Sequence, residues 1–251
     1  MDGQGRVDRA AGRGRTSLSP RGGRPQAHRR GELTRPLLLS FDIFGTVIDW
    51  RRGLTEACAA VGVPGREAEA AFDAMIDAQG RLEQAAPDRR YRDIVAAGAS
   101  EVLGLDAVRA DTVAATVGAW PAYPDCAPAL HRLARFAPLV ALTNSDRDHG
   151  ASVRAALGAD VTWTHWLCAE DTGMYKPDPG MWDACATATG MPGGRGWWHV
   201  SAYADYDLEE AVSRGLSTVY VERPHRRPGP ALWTVPDLTA LARVVESLAR
   251  G

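Results

Sequence analysis

The chain has 251 residues, of which 45% are hydrophobic and 24% charged, the balance of a globular protein rather than a fibrous or wholly disordered one. No run of about 18 apolar residues occurs, so we expect no membrane-spanning helix and no membrane partner. The formal net charge is −2, but residues 1–36 hold nine arginines against three acidic residues, so the remainder is acidic. An acidic body disfavours nucleic acid as a partner, because phosphate contacts need clustered Lys and Arg.

Residues 1–35 are rich in Gly, Arg and Pro and show no apolar periodicity. Such a segment buries too little apolar surface to offset the entropy of ordering, so we predict a disordered tail. It lacks the apolar stretch that follows the positive residues of a secretory signal. The cysteines are scattered, without C-x-x-C pairs, which predicts free thiols and a reducing, cytoplasmic location. They are Cys58, Cys126, Cys168 and Cys185.

The remaining chain alternates between apolar runs and helical spacing. Residues 37–44 form a short apolar run that predicts a buried parallel strand, and residues 52–119 are Ala-rich and predict three or four helices. Beyond residue 120, helices alternate with strands at 138–143, near 197–201 and at 217–221, before a last helix near 237–249. This order predicts an α/β fold with a doubly wound, Rossmann-like parallel sheet. Residues 36–51 and 120–251 would form the core, and 52–119 a helical cap inserted after the first strand.

Polar side chains follow the predicted strands, at the carboxyl ends where open parallel sheets bind ligands. They are Asp42, Thr143, Asn144, Lys176, Ser201 and Asp207. Asp42 precedes a Gly-Thr turn, so the pattern presents its carboxylate beside backbone N–H groups and favours a nucleophile. Considered alone, Asp42 also suits the cap of a turn or helix.

The segment F-D-I-F-G-T around Asp42, with Thr143, Lys176 and Asp207 following in order, resembles the haloacid dehalogenase-like superfamily over nearly all of the chain beyond the tail. The resemblance implies that Asp42 attacks the substrate and is transiently esterified. It implies that Thr143 hydrogen-bonds the substrate or the attacked carboxyl group, and that Lys176 neutralises negative charge.

Two departures from the phosphatases of this superfamily are informative. Those enzymes carry a second Asp two residues after the nucleophile as general acid and base, and here that position is Phe44. They also bind Mg²⁺ through an acidic fourth motif, usually Gly-Asp, which reads Ser201-Ala202 here. Displacement of halide from carbon requires neither device, because halide leaves without a proton and a carboxylate substrate needs no magnesium.

With Asp49-Trp50 after the first motif, the chain is most similar to the type II 2-haloacid dehalogenases. That resemblance implies a small 2-halo carboxylic acid as substrate, no metal ion or other cofactor, and a hydrolytic water positioned by Lys176 and Asp207. It places five further side chains around the substrate: Phe44, Asn144, Ser201, Trp182 and Tyr203. An Arg of the cap should bind the halide, but spacing singles out none of Arg81, Arg89, Arg90 and Arg92.

Two alternatives stay open. A magnesium-dependent phosphatase or phosphonate hydrolase on the same fold would need Asp205 or Asp207 as a metal ligand, although Asp205 also suits a helix N-cap. A non-catalytic binding or regulatory protein would keep the scaffold without turnover, since fold does not fix function. We expect a small-molecule ligand in each case, and an exposed apolar helical face would permit a homodimer.

Overall fold

The computed structural model of this chain describes residues 35–250, so the tail predicted for residues 1–35 lies outside the described residues apart from Arg35. The strands within residues 35–250 are β1 (Leu38–Phe41), β2 (Leu139–Thr143), β3 (His165–Cys168), β4 (Trp197–Ser201), β5 (Ser217–Val221) and β6 (Trp233–Val235). The helices are α1 (Trp50–Ala60), α2 (Gly65–Ala85), α3 (Tyr91–Leu103), α4 (Ala107–Ala114), α5 (Cys126–Leu133), α6 (Arg147–Leu157), α7 (Ala169–Thr172), α8 (Pro179–Thr189), α9 (Glu209–Ser213) and α10 (Leu238–Arg250). A 3₁₀ turn covers Val117–Ala119, and a π-helical turn covers Ala204–Leu208.

The strands pair side by side in the order β3-β2-β1-β4-β5-β6, and every pairing is parallel. Each residue of β1, β2, β4 and β5 is buried, as parallel strands covered on both faces require. The strand order changes direction at β1, which lies between β2 and β4. The carboxyl ends of β1 and β4 therefore flank a topological switch point, and the predicted doubly wound parallel sheet is confirmed.

The strands predicted at 138–143, near 197–201 and at 217–221 correspond to β2, β4 and β5. The two edge strands, β3 and β6, were not predicted. Both are short and only partly buried, so they lack the continuous apolar run of an inner strand.

Four helices, α1 to α4, lie between β1 and β2, where the Ala-rich segment predicted three or four. The longest of them, α2, buries Phe72, Ile76, Gln79 and Glu83, which recur every three or four residues and so share one face. The buried residues of this face are apolar in the first part of α2 and include Gln79 and Glu83 near its carboxyl end. The polar groups of Gln79 and Glu83 are therefore buried against the rest of the fold. Within residues 35–250, no helix is long and apolar enough to cross a membrane.

Candidate active site

Asp42 directly follows β1 and is buried, with 3% of its surface exposed. Its backbone N–H donates to the Val200 carbonyl of β4 at 3.0 Å, which holds Asp42 at the switch point. Its Oδ1 accepts from Lys176 Nζ at 2.9 Å, and its Oδ2 accepts from Thr46 Oγ1 at 2.6 Å. Burial raises the pKa of Asp42 above its usual range, and attraction to Lys176 offsets only part of this shift. Both carboxylate oxygens are thus oriented by fixed donors.

The turn after Asp42 depends on Gly45 and Thr46. Gly45 has φ +95°, and a Cβ at this position would lie 2.4 Å from the ring of Tyr203, so only glycine fits. Thr46 Oγ1 donates to Asp42 and also accepts from the Ala202 N–H at 2.9 Å. Thr46 therefore ties the nucleophile candidate to the end of β4. It was not predicted as a site residue, although the Gly-Thr turn was its signal.

Lys176 is the cation beside Asp42. Its side chain is fully buried, and Nζ lies 2.9 Å from Asp42 Oδ1 and 3.0 Å from Asp207 Oδ2. Burial alone lowers the pKa of Lys176, but attraction to Asp207 and Asp42 outweighs burial and raises it, so the ammonium keeps its charge. Burial likewise favours neutral Asp207, yet Lys176 and then His199 bring the pKa of Asp207 below its usual range. One ammonium is shared between two buried carboxylates.

His199 of β4 lies beside Asp207 and was not predicted as a site residue. Its Nε2 lies 3.2 Å from Asp207 Oδ2, without the alignment of a hydrogen bond. Ser40 Oγ accepts from Trp197 Nε1 at 2.6 Å and lies 2.7 Å from His199 Nδ1, so the Ser40 hydroxyl is free to donate to Nδ1. In that arrangement the ring proton is on Nε2 and faces Asp207.

Thr143 is the last residue of β2 and Asn144 follows it, and the two side chains differ in how many hydrogen bonds they can still form. The Thr143 hydroxyl is buried and has no hydrogen-bond partner among residues 35–250. Asn144 is engaged: its Oδ1 accepts from the Lys176 N–H at 2.7 Å, and its Nδ2 donates to the Lys176 carbonyl at 3.1 Å and to Glu83 Oε2 at 3.0 Å. Thr143 is therefore available to a ligand, whereas Asn144 chiefly holds the Lys176 backbone and Glu83 in place.

A cavity of about 290 Å³ brings most of the predicted residues together. Asp42, Phe44, Thr143, Asn144 and Lys176 line it from the sheet side. The lining also includes residues that sequence reasoning missed, chiefly Gln79, Glu83, Tyr91, Tyr206 and Arg227. For Gln79 and Glu83 the available signal was their position on the apolar face of a predicted helix.

Three predicted substrate contacts lie outside this cavity wall, because Ser201, Trp182 and Tyr203 do not line it. Ser201 Oγ accepts from the Tyr203 N–H at 3.0 Å and closes the turn after β4. Trp182 is fully buried, with its ring centroid 4.4 Å from that of His199. Tyr203 is also fully buried and stacks on His225 at 4.5 Å. Ser201 thus serves the turn, and the two aromatic side chains serve packing, as large aromatic residues often do.

Asp207, which was predicted to position the hydrolytic water, does not line the cavity either. Its carboxylate is fully buried, and its Oδ2 contacts the same ammonium as Asp42 Oδ1. Asp207 therefore acts on the cavity through Lys176 and not by direct contact.

Of the four cap arginines, Arg81 lines the cavity and the other three do not. The Arg81 side chain is 61% exposed and paired with Glu101. Arg90 approaches Asp146 and Asp148 instead. Arg227, which also lines the cavity, pairs with Asp77 at 2.7 Å and Asp205 at 3.3 Å. The cavity thus has arginines at its rim, each already matched to a carboxylate.

A magnesium ion, which the phosphatase alternative requires, does not fit this set of residues. Lys176 Nζ already lies between Asp42 and Asp207, and Asp205 pairs with Arg227. Ala202 supplies no side-chain ligand, and the unpaired Oδ1 of Asp207 is buried away from the cavity. Mg²⁺ demands a near-octahedral shell of oxygen ligands, and the position where carboxylates converge is taken by an ammonium.

Comparisons with known proteins show the family and the fold of the chain. A family model described as haloacid dehalogenase-like hydrolase matches residues 38–197. An L-2-haloacid dehalogenase from Xanthobacter autotrophicus is 18% identical with a TM-score of 0.72, over 84% of this chain and 98% of that one. A further L-2-haloacid dehalogenase is 25% identical with a TM-score of 0.67, over 85% and 99% of the two chains.

The same fold also occurs with a bound metal ion. The HAD-hydrolase YfnB from Bacillus subtilis, solved bound to magnesium, is 14% identical with a TM-score of 0.70, over 84% of this chain and 99% of that one. No curated protein sequence matches this chain significantly. Likeness at such low identity shows the fold, and the chemistry has to be argued from the side chains.

Proposed function

Because this chain belongs to the haloacid dehalogenase-like hydrolase family, we propose that it hydrolyses a small 2-halo carboxylic acid through an ester on Asp42. The observation that carries the proposal is the Asp42 carboxylate held by Lys176 Nζ at 2.9 Å, with Phe44 in place of a second acid. Two similar structures bear the name L-2-haloacid dehalogenase, which supports the same choice.

In the first step, an oxygen of Asp42 attacks the carbon that bears the halogen. The new C–O bond forms as the C–halogen bond breaks, and the halide departs with the bonding electrons. Lys176 and Thr46 fix the carboxylate, so the attack needs little reorientation. No proton is required by the leaving group, in keeping with Phe44, whose ring packs at 6.0 Å from Tyr91 and 5.9 Å from Trp120.

In the second step, water attacks the carbonyl carbon of the Asp42 ester. The 2-hydroxy acid leaves with the original Asp42 oxygen, the water oxygen remains in the carboxylate, and a proton is released. Negative charge develops on the ester carbonyl oxygen, and the Lys176 ammonium lies within hydrogen-bonding distance of this carboxyl group. Fixed donors of this kind stabilise the charge of the transition state.

We propose further that residues 52–119 act as a cap over the end of the sheet. Ile76, Gln79 and Glu83 of α2 and Tyr91 of α3 form one wall of the cavity that holds Asp42. Such a wall excludes bulk water during the first step and admits it for the second. A reducing, cytoplasmic setting belongs to the same proposal, since all four cysteines are free.

Release of halide and of phosphate, measured in parallel, tests the proposed function. The substrates are a panel of 2-halo acids and phosphate esters, each with EDTA and with added magnesium. We expect halide release that EDTA leaves unchanged, because Lys176 supplies the cation beside Asp42. Magnesium-dependent phosphate release would instead assign the phosphatase function to this site, and no release of either ion would favour a binding protein.

A further inference from the structure

Each Lys and Arg side chain in the cavity wall already forms an ion pair with a carboxylate of the protein. Lys176, Arg81 and Arg227 are the Lys and Arg side chains that line the cavity within residues 35–250. Lys176 is shared by Asp42 and Asp207, Arg81 pairs with Glu101, and Arg227 pairs with Asp77 and Asp205. The carboxylate of a 2-halo acid therefore relies on uncharged hydrogen-bond donors, of which the unpartnered Thr143 hydroxyl supplies only one.

Glu83 is the acidic side chain that α2 places in the cavity wall, with 8% of its surface exposed. Its Oε2 accepts from Asn144 Nδ2 at 3.0 Å. The orientation of the Asn144 amide is fixed, because Nδ2 also donates to the Lys176 carbonyl and Oδ1 accepts the Lys176 N–H. Oε2 is therefore an acceptor, and a proton on Glu83 belongs on Oε1, which accepts no hydrogen bond from residues 35–250.

The surroundings of Glu83 favour its neutral acid. Burial raises the pKa of Glu83 to about 8, and repulsion by Asp42 adds to this shift while Asn144 and Lys176 oppose it. The other ionisable groups that act on it are Tyr91 on α3, Tyr175 beside Lys176 and Tyr206 in the π-helical turn. Burial raises the pKa of all three tyrosines, so they keep their protons where Glu83 titrates. On α2 itself, Asp77 and Arg81 are paired with Arg227 and Glu101.

We propose that Glu83 is a specificity-determining residue which, as the neutral acid, donates a hydrogen bond from Oε1 to the carboxylate of the substrate. This inference rests on the proposed function, since it names how the same cavity recognises a 2-halo acid. An O–H···O⁻ bond is among the stronger hydrogen bonds in proteins. Loss of the Glu83 proton removes the donor and places a second negative charge beside the bound carboxylate, so binding is lost as the pH rises.

Binding of propionate tests this role without turnover, because propionate has the carboxylate of the substrate class but no leaving group. Calorimetry measures its affinity from about pH 6 to about pH 10, with the uncharged propionamide as the matched ligand. We expect the propionate affinity to fall about tenfold per pH unit above a pH of about 8. Above that pH, propionate binding should take up about one proton, seen as a buffer-dependent heat. The affinity for propionamide should stay level.

Glu83→Gln separates the proton from the shape of the side chain. The Gln oxygen can accept from Asn144 while its amide nitrogen donates to propionate at every pH, so we expect affinity near the neutral-pH wild-type value and no pH dependence. Glu83→Ala, which has no donor, should bind propionate weakly throughout. Glu67→Gln, an exposed position near the start of α2, should keep the wild-type profile.

A propionate affinity that is level through a pH of about 8 in the wild-type protein would overturn the role of Glu83. So would the same decline in Glu83→Gln, the same decline with propionamide, or no propionate binding at neutral pH. Failure of the proposed function looks different: 2-chloropropionate would release no halide at any pH, while the calorimetry would still decide whether Glu83 binds a carboxylate.

Discussion

Asp42→Asn should lower halide release by about 10⁴-fold or more, the scale seen when a catalytic nucleophile is removed. The amide is nearly isosteric but has no anionic oxygen to attack carbon. Its oxygen can still accept from Lys176, and its nitrogen can donate to Thr46, whose hydroxyl is free to rotate. The fold should therefore persist, as circular dichroism and thermal unfolding would show.

Asp106→Asn is the matched control for this change. Asp106 caps α4 by accepting from the Arg109 N–H at 3.0 Å and does not line the cavity. Asn caps helices about as well as Asp, so both halide release and stability should be retained. Wild-type turnover in Asp42→Asn would exclude Asp42 as the nucleophile.

Lys176→Met should abolish turnover and also reduce the free energy of unfolding by about 3–5 kcal/mol, the usual effect of removing one partner from a buried ion pair. Asp42 and Asp207 would be left as two buried carboxylates that share no cation. Their repulsion raises the pKa of at least one of them above its value in the unfolded chain. The stability deficit should accordingly be present at neutral pH and shrink as the pH falls and the carboxyl group is protonated.

Urea unfolding and halide release measure the two effects of Lys176→Met separately. The matched variant is Lys176→Met with Asp207→Asn, which removes one negative charge along with the positive one. We expect this double variant to recover most of the stability and none of the activity, because Asp42 still lacks its cation. Unchanged stability in the single variant would contradict the buried arrangement of Lys176, and full activity would contradict its role at Asp42.

The parts of the site that the sequence predicts are those coded by local pattern. β1 is an apolar run that ends at Asp42, and the glycine turn after it marks a strand end. Thr143 ends a second buried strand, Lys176 is marked by the Lys-Pro pair, and all three side chains line the cavity. Parallel strands bring their carboxyl ends to one edge of the sheet, so residues far apart in sequence become neighbours without any further information.

The site residues that the sequence does not predict are placed by packing between helices, loops and the sheet. Glu83 and Arg227 enter the cavity from a helix and a loop whose orientation relative to the sheet no local pattern encodes. Trp182 lies at the spacing of a substrate contact, but its large apolar surface is buried between Trp197 and His199. Motif spacing alone therefore locates a residue along the chain and leaves open which side of the sheet it faces.

A single turnover in H₂¹⁸O shows whether Asp42 forms the bond to the substrate. With the enzyme in excess over 2-chloropropionate, mass spectrometry of the lactate and of the peptide that contains Asp42 locates the heavy oxygen. An ester on Asp42 predicts that ¹⁸O enters the Asp42 carboxylate and that the lactate carries the original oxygen. Label in the lactate and none in the peptide would show that water attacks the substrate itself and that Asp42 is not the nucleophile.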